Sequence, residues 1–272
     1  MAFTPTFFAL LSEGSLVRSS LALGLTELRN ASIGERGRYY TAFFQLSTAL
    51  ERLAKLVFIL DHMVSYSLAP PGGDAVKAFG HDLEDLYRAS ADIGRSRQFP
   101  SAYPFPANSV SLAIVSFLSR FAETARYANL DALASGNAVR DPLADWHDIL
   151  IDIIRKHVPE RTRQRIEAES VAIADAKREV VLARAHDLTN RPLCLQALLA
   201  TPRLYSIGTR HATWYCFELF LPLRDLVTEL SHHATHVEQT TGSSLTSIPY
   251  MSDFLNFLWA PRESVLTKKR WP

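Results

Sequence analysis

The side chains of this chain best suited to chemistry are a few histidines and arginines. His81 and Asp82 follow Gly80 at a helix start, within reach of Glu51 or Arg52 on the preceding helix. An imidazole titrates near neutrality and so suits ligand binding or proton transfer; a structural hydrogen bond is the other use of such a pair. Arg36, Arg38, Arg52 and Arg126 make a phosphate-binding set if the fold brings them together, and solvated surface groups if it does not. Arg140 and His147 lie around one helix start at Asp141-Pro142, where free backbone N–H groups favour an anion. His232 and His236 stand one turn apart, a spacing that can grip a transition metal, but no carboxylate of a metalloprotease pattern accompanies them, and no metal is assigned. Ser-His-Asp catalysis, glycine-rich phosphate loops and paired carboxylates have no support, and no cofactor is expected.

Helices must position these groups. Phe43, Leu46, Leu50, Leu53, Val57, Leu60 and Val64 repeat at spacings of three and four, which predicts one long amphipathic helix over Arg38–Tyr66, stopped by Pro70-Pro71-Gly72-Gly73. Asp74 is expected to cap a short segment, Ala75 to Phe79, before a helix that Gly94 ends; this Gly80–Gly94 segment is expected to pack antiparallel on the long helix. A loop over 95–108 carries Pro100, Pro104 and Pro106 among Phe99, Tyr103 and Phe105. Ser109 then caps a helix reaching about Leu133, before Ser135-Gly136-Asn137. Asp141-Pro142 opens another helix, closed by Pro159. A polar helix over 160–188, with Arg178, Glu179 and Arg184 among its charges, and two further helical patterns, 193–200 and 214–236, complete the body, the last bent at Pro222. The expected fold is all-α: an antiparallel helical bundle over 1–135 and a helical extension packed on it over 136–272. Its core is to include Phe43, Leu46, Leu50, Leu53, Leu60, Leu83, Leu86, Phe117, Phe121 and Leu130.

Composition bounds the function. Of 272 residues 47% are hydrophobic and 21% charged, which excludes disorder and fibrous classes. Lys+Arg of 29 against Asp+Glu of 28 leaves a formal net charge of +1, so any contact with nucleic acid is local rather than drawn by a global field. Two distant cysteines, Cys194 and Cys216, fit a reducing cytoplasm. The apolar start, Met1 to Leu11, lacks the basic lead of a signal peptide, and Leu53–Met63, with Lys55 and Asp61, is too short and too charged to span a bilayer.

Arg38-Tyr39-Tyr40, Glu51-Arg52-Leu53-x-Lys55-Leu56 and Gly80-His81-Asp82-Leu83-x-x-Leu86 together resemble the HEPN (higher eukaryotes and prokaryotes nucleotide-binding) helical proteins over about a third of the chain. The resemblance implies an antiparallel bundle, frequently dimeric, acting on RNA or nucleotide. Many such proteins are ribonuclease toxins or effectors in microbial conflict systems, and others are inactive binding modules. Active members carry Arg, four to six residues, then His. Arg140-Asp141-x-x-x-x-x-His147 matches, and implies Arg140 stabilising charge on a phosphate while His147 transfers a proton or orients the 2′-hydroxyl, with Arg126 or His81 nearby to hold phosphate. Pro142 departs from the pattern by placing Arg140 ahead of the helix, whereas the family keeps both residues on one helical surface. A HEPN-like binding or regulatory module is therefore preferred, with a metal-independent ribonuclease, a toxin or defence effector, as the alternative. Arg38, Arg52, His81, Asp82 and Arg126 are the expected ligand-binding residues.

Overall fold

The computed structural model describes residues 2–78, 80–99, 103–136, 140–177, 185–242 and 245–272, so Phe79, Pro100, Asn137, Arg178, Glu179 and Arg184 lie outside the described residues. The fold is all-α. Among the described residues ten α-helices occur: α1 (Pro5–Asn30), α2 (Arg36–Ser65), α3 (Gly73–Lys77), α4 (Leu83–Arg97), α5 (Ser109–Glu123), α6 (Ala128–Ser135), α7 (Pro142–His157), α8 (Glu160–Ala176), α9 (Leu195–Thr240) and α10 (Arg262–Thr267). Two short parallel strands, β1 (Ala2–Phe3) and β2 (Leu245–Thr246), join the chain's start to the segment after α9.

The long helix expected from the three-and-four spacing is α2, and its apolar stripe is buried. Its antiparallel partner is α1: Glu27 meets Arg38 and Glu13 meets Arg52, so the chain reverses through the short turn between them. Gly24 sits where a Cβ would lie 2.8 Å from Leu46 Cγ, which lets the two helices approach closely. The antiparallel packing expected of the 80–94 segment on α2 is overturned. His81 pairs with Glu51 and Arg97 with Asp61, so α4 runs in the same direction as α2. Residues 66–78 carry the chain back along α2 first, with Val76 lining one cavity with Glu51 and Ile59, and such a return releases α4 from the hairpin geometry a tight turn would impose.

Helix ends follow cap chemistry with some corrections. Asp82 caps α4, its carboxylate accepting from Glu84 and Asp85 N–H at 2.9 and 3.1 Å, and Asp141 caps α7 by accepting from Leu143 N–H at 2.9 Å. Asn108, not Ser109, caps α5 through Ser111 N–H, and Asp74 makes no cap for α3. Gly94 lies inside α4, where a Cβ would meet Leu226 at 3.2 Å; it is a packing position rather than a terminator. The helix expected to continue to Leu133 breaks after Glu123 into a 3-10 turn and the short α6, which leaves Leu130 63% exposed instead of in the core. The other nine core residues named above are buried. The polar helix ends at Ala176, and 185–193 instead turn back on themselves through a bridge between His186 and Pro192. The two last helical patterns merge into the single α9, with Pro202 and Pro222 inside it; packing along its length outweighs the two lost backbone hydrogen bonds.

One cluster of buried residues extends from Leu10 through α2, α4, α5 and α7 into α9 and on to Trp271. At its centre Phe43 of α2, Phe117 of α5 and Trp146 of α7 pack ring against ring, with centroids 4.6 to 5.3 Å apart. No described helix is long and apolar enough to cross a membrane.

Candidate functional site

The arginines expected to hold phosphate are separated, and two of the four are ion-paired. Arg38 and Arg52 are fourteen residues apart on α2, about 21 Å along its axis. Arg38 pairs with Glu27 at 3.1 Å and Glu35 at 3.4 Å, and Arg52 with Glu13 at 2.6 Å. Arg36 donates to Asn190 Oδ1 and to the carbonyls of Asp187 and Leu188, fixing that turn. Arg126 lies against the ring of its neighbour Tyr127. His81 does meet Glu51, at 3.0 Å, and Lys55 donates to the same oxygen at 2.7 Å. Burial raises the Glu51 carboxyl, but the hydrogen bonds from Lys55 and His81 outweigh it and hold the group below the usual carboxylate range. Glu13, Glu51, Arg52 and Lys55 line a cavity of about 400 Å³ whose charges cancel in pairs. Asp82, beyond its capping bonds, accepts from the Ser119 hydroxyl at 3.2 Å.

Arg140 and His147 face different partners. The Arg140 guanidinium binds Asp145, and reaches Asp148 at 2.9 Å. His147 lies at least about 100° around α7 from either carboxylate at 3.6 residues per turn. Its Nδ1 is 2.6 Å from the Tyr205 hydroxyl of α9. Burial lowers the His147 pKa despite Asp187 and Asp148 nearby, so the ring is neutral at physiological pH. His232 and His236 are exposed, and among the described residues no group of three His, Cys, Asp or Glu is placed to hold a metal.

Cations without a carboxylate also gather at another face. Lys156 and His157 end α7, Arg210, His211, Trp214 and Tyr215 form one face of α9, and Arg262 opens α10. The His157 and His211 rings stack with centroids 4.2 Å apart and 7° between planes, and His157 Nε2 is 2.9 Å from the Tyr215 hydroxyl. The Lys156 ammonium lies 5.3 Å from the Tyr215 ring and the Arg262 guanidinium 5.8 Å from the Trp214 ring. None of Lys156, Arg210 and Arg262 has a carboxylate within 4.0 Å among the described residues. Glu218 stands near enough to Arg262 and Lys156 for both to act on it, and burial outweighs them in raising its pKa above the usual carboxylate range. Burial lowers both imidazoles, with Lys156 and Arg262 adding at His157, and His211 falls to about 4 under burial and the charges of His157, Arg262 and Arg210. The face thus presents three fixed positive charges beside neutral stacked rings.

Comparison with family models, with curated proteins and with solved structures finds no match to this chain. The geometry therefore carries the functional reading. Sequence reasoning missed this face, although Arg210-His211-x-x-Trp214-Tyr215 places cations and rings at i and i+4 on one helix surface. The contribution of Arg262 had no local signal, because only the return of α10 onto α9 brings it there.

Proposed function

We propose that this chain is a HEPN-like helical binding module that engages RNA or a nucleotide, in a microbial conflict system, through the basic face of Lys156, Arg210 and Arg262. The observation that carries the reading is that none of these three cations has a carboxylate within 4.0 Å among the described residues, with the Arg262 guanidinium beside the half-buried Trp214 ring and the Lys156 ammonium beside that of Tyr215. Phosphates take the cations and a base takes the ring, the division of labour by which single strands are held. Arg140, by contrast, is neutralised by Asp145 and Asp148, which favours binding over the ribonuclease reading. Dimer formation and a cytoplasmic location belong to the same proposal.

The test is fluorescence anisotropy with a short single-stranded RNA. Wild type binds with a slope of about −2 in log affinity against log salt, as three phosphate contacts require. The triple substitution Lys156→Gln, Arg210→Gln, Arg262→Gln abolishes binding with the helical circular dichroism unchanged, and unaltered affinity in that variant would refute the reading. RNA cleavage by wild type that His147→Ala loses would instead favour the enzyme. Sedimentation equilibrium reads the dimer.

A further inference from the structure

A second cationic feature lies at the end of α1. A cavity of about 230 Å³ is enclosed by Arg29, Asn30, Tyr205, Ser206, Arg210 and Lys269, among others, drawn from α1, α9 and the C-terminal tail. Arg29 is only 7% exposed, and its Nε is buried with no hydrogen-bond partner. The charged neighbour acting on it is a like charge, Arg210; burial first, and Arg210 second, pull the guanidinium below the usual arginine range. Neither Arg29, Arg210 nor Lys269 has a carboxylate within 4.0 Å among the described residues. A buried guanidinium without a counter-ion is costly, and the cost falls when an anion completes the site.

The walls are held in place. Asn30 Nδ2 donates to the Lys269 carbonyl at 2.8 Å, and Trp271 N–H donates to Thr26 Oγ1 at 3.0 Å, so the tail that supplies Lys269 is anchored to α1. Of the carbonyls near the end of α1, which would repel an anion, Thr26 accepts from Asn30 Nδ2 and Leu28 from Ala31 N–H. Tyr205 has its hydroxyl engaged by His147 and contributes a wall, while the exposed Ser206 contributes a free hydroxyl at the rim.

We propose that this cavity binds a phosphomonoester dianion. Three uncompensated cations match a dianion better than a singly charged carboxylate. The volume lies below the roughly 300 Å³ at which pockets begin to enclose drug-sized ligands, so it takes a phosphate and little of what carries it. The same chemistry is offered by free phosphate and by the terminal phosphate of a larger ligand. The site goes beyond the RNA-binding reading: it shares Arg210 with the basic face and needs neither Lys156 nor Arg262.

Calorimetric titration of the full chain at constant ionic strength tests it, with inorganic phosphate, adenosine 5′-monophosphate and acetate as probes. Saturable binding of phosphate or of the monophosphate is expected, with acetate silent. Tighter binding of the monophosphate assigns the site to a terminal phosphate, and tighter binding of inorganic phosphate assigns it to the free ion. Lys269→Gln, at an exposed position, weakens binding at least about tenfold, the loss of one charge-assisted contact. Arg29→Gln does the same or more, and Lys269→Gln keeps the test decisive if the buried substitution unfolds the chain. Lys156→Gln with Arg262→Gln leaves phosphate affinity unchanged while removing RNA binding, which separates this site from the basic face. No saturable binding by wild type, or equal affinity in wild type and Lys269→Gln, would overturn the proposal.

Discussion

His211 lies flat on His157 with its Nδ1 buried and without a hydrogen-bond partner, and its pKa falls from the usual 6.5 to about 4. Between those two values the unfolded chain binds a proton that the folded chain refuses. Stability therefore falls as pH drops from about 6.5 towards 4, with no further loss from this group below that window. His157 is displaced in the same direction. His211→Phe keeps a ring on His157 and removes one titration, so thermal melts between pH 7 and pH 5 should show a shallower loss than wild type; an identical slope would refute this account. His147 shows the same economy in another place. Burial keeps its ring neutral and its Nδ1 is engaged by Tyr205, which suits a structural hydrogen bond between α7 and α9 as well as proton transfer.

Helix crossings decide which of these residues meet. At the α7–α9 crossing Gly208 allows a close approach: a Cβ there would lie 2.6 Å from Ile154 Cγ1 and 2.9 Å from Leu150 Cδ1. The same approach brings His157 to His211 and Tyr215, and Lys156 to the Tyr215 ring. Gly208→Ala should be destabilising, because overpacking costs about 1–3 kcal/mol while alanine recovers at most roughly 1 kcal/mol of helix propensity. Urea denaturation measures the loss, and a variant more stable than wild type would show that α7 can shift without penalty. The direction of α4 is likewise a matter of packing. Both α2 and α4 bury apolar stripes whatever their relative direction, so the stripes alone do not distinguish a hairpin from two parallel helices, and the return of the chain over 66–78 settles it.

At the scale of the molecule the C-terminal tail closes the structure. Trp271 is buried against Phe217 of α9 and Phe257, and its backbone N–H reaches Thr26 of α1, so this segment ties α1 to α9. Trp271→Ala should cost about 3–5 kcal/mol, the range for removing a large buried aromatic. It should also weaken phosphate binding by loosening Lys269. A melting temperature unchanged by that substitution would show that the tail is peripheral.

Local chemistry determined the elements: the spacing of Phe43 to Leu60 made α2, the Asp141-Pro142 pair opened α7 with Asp141 as its cap, and Asp82 capped α4, because periodicity and capping act over a few residues. The meeting of His81 with Glu51, thirty residues apart, depends instead on the chain's return along α2. Partnership between distant charges was not legible. Arg38 and Arg52 read as free cations until the fold set Glu27 and Glu13 against them. Arg29 and Arg210, 181 residues apart, carry no local signal in the sequence, and only the packing of α1 and α9 brings them to one cavity with Lys269. Whether a charge is neutralised depends on what lies within a few ångströms of it, and for these residues only tertiary packing sets that distance.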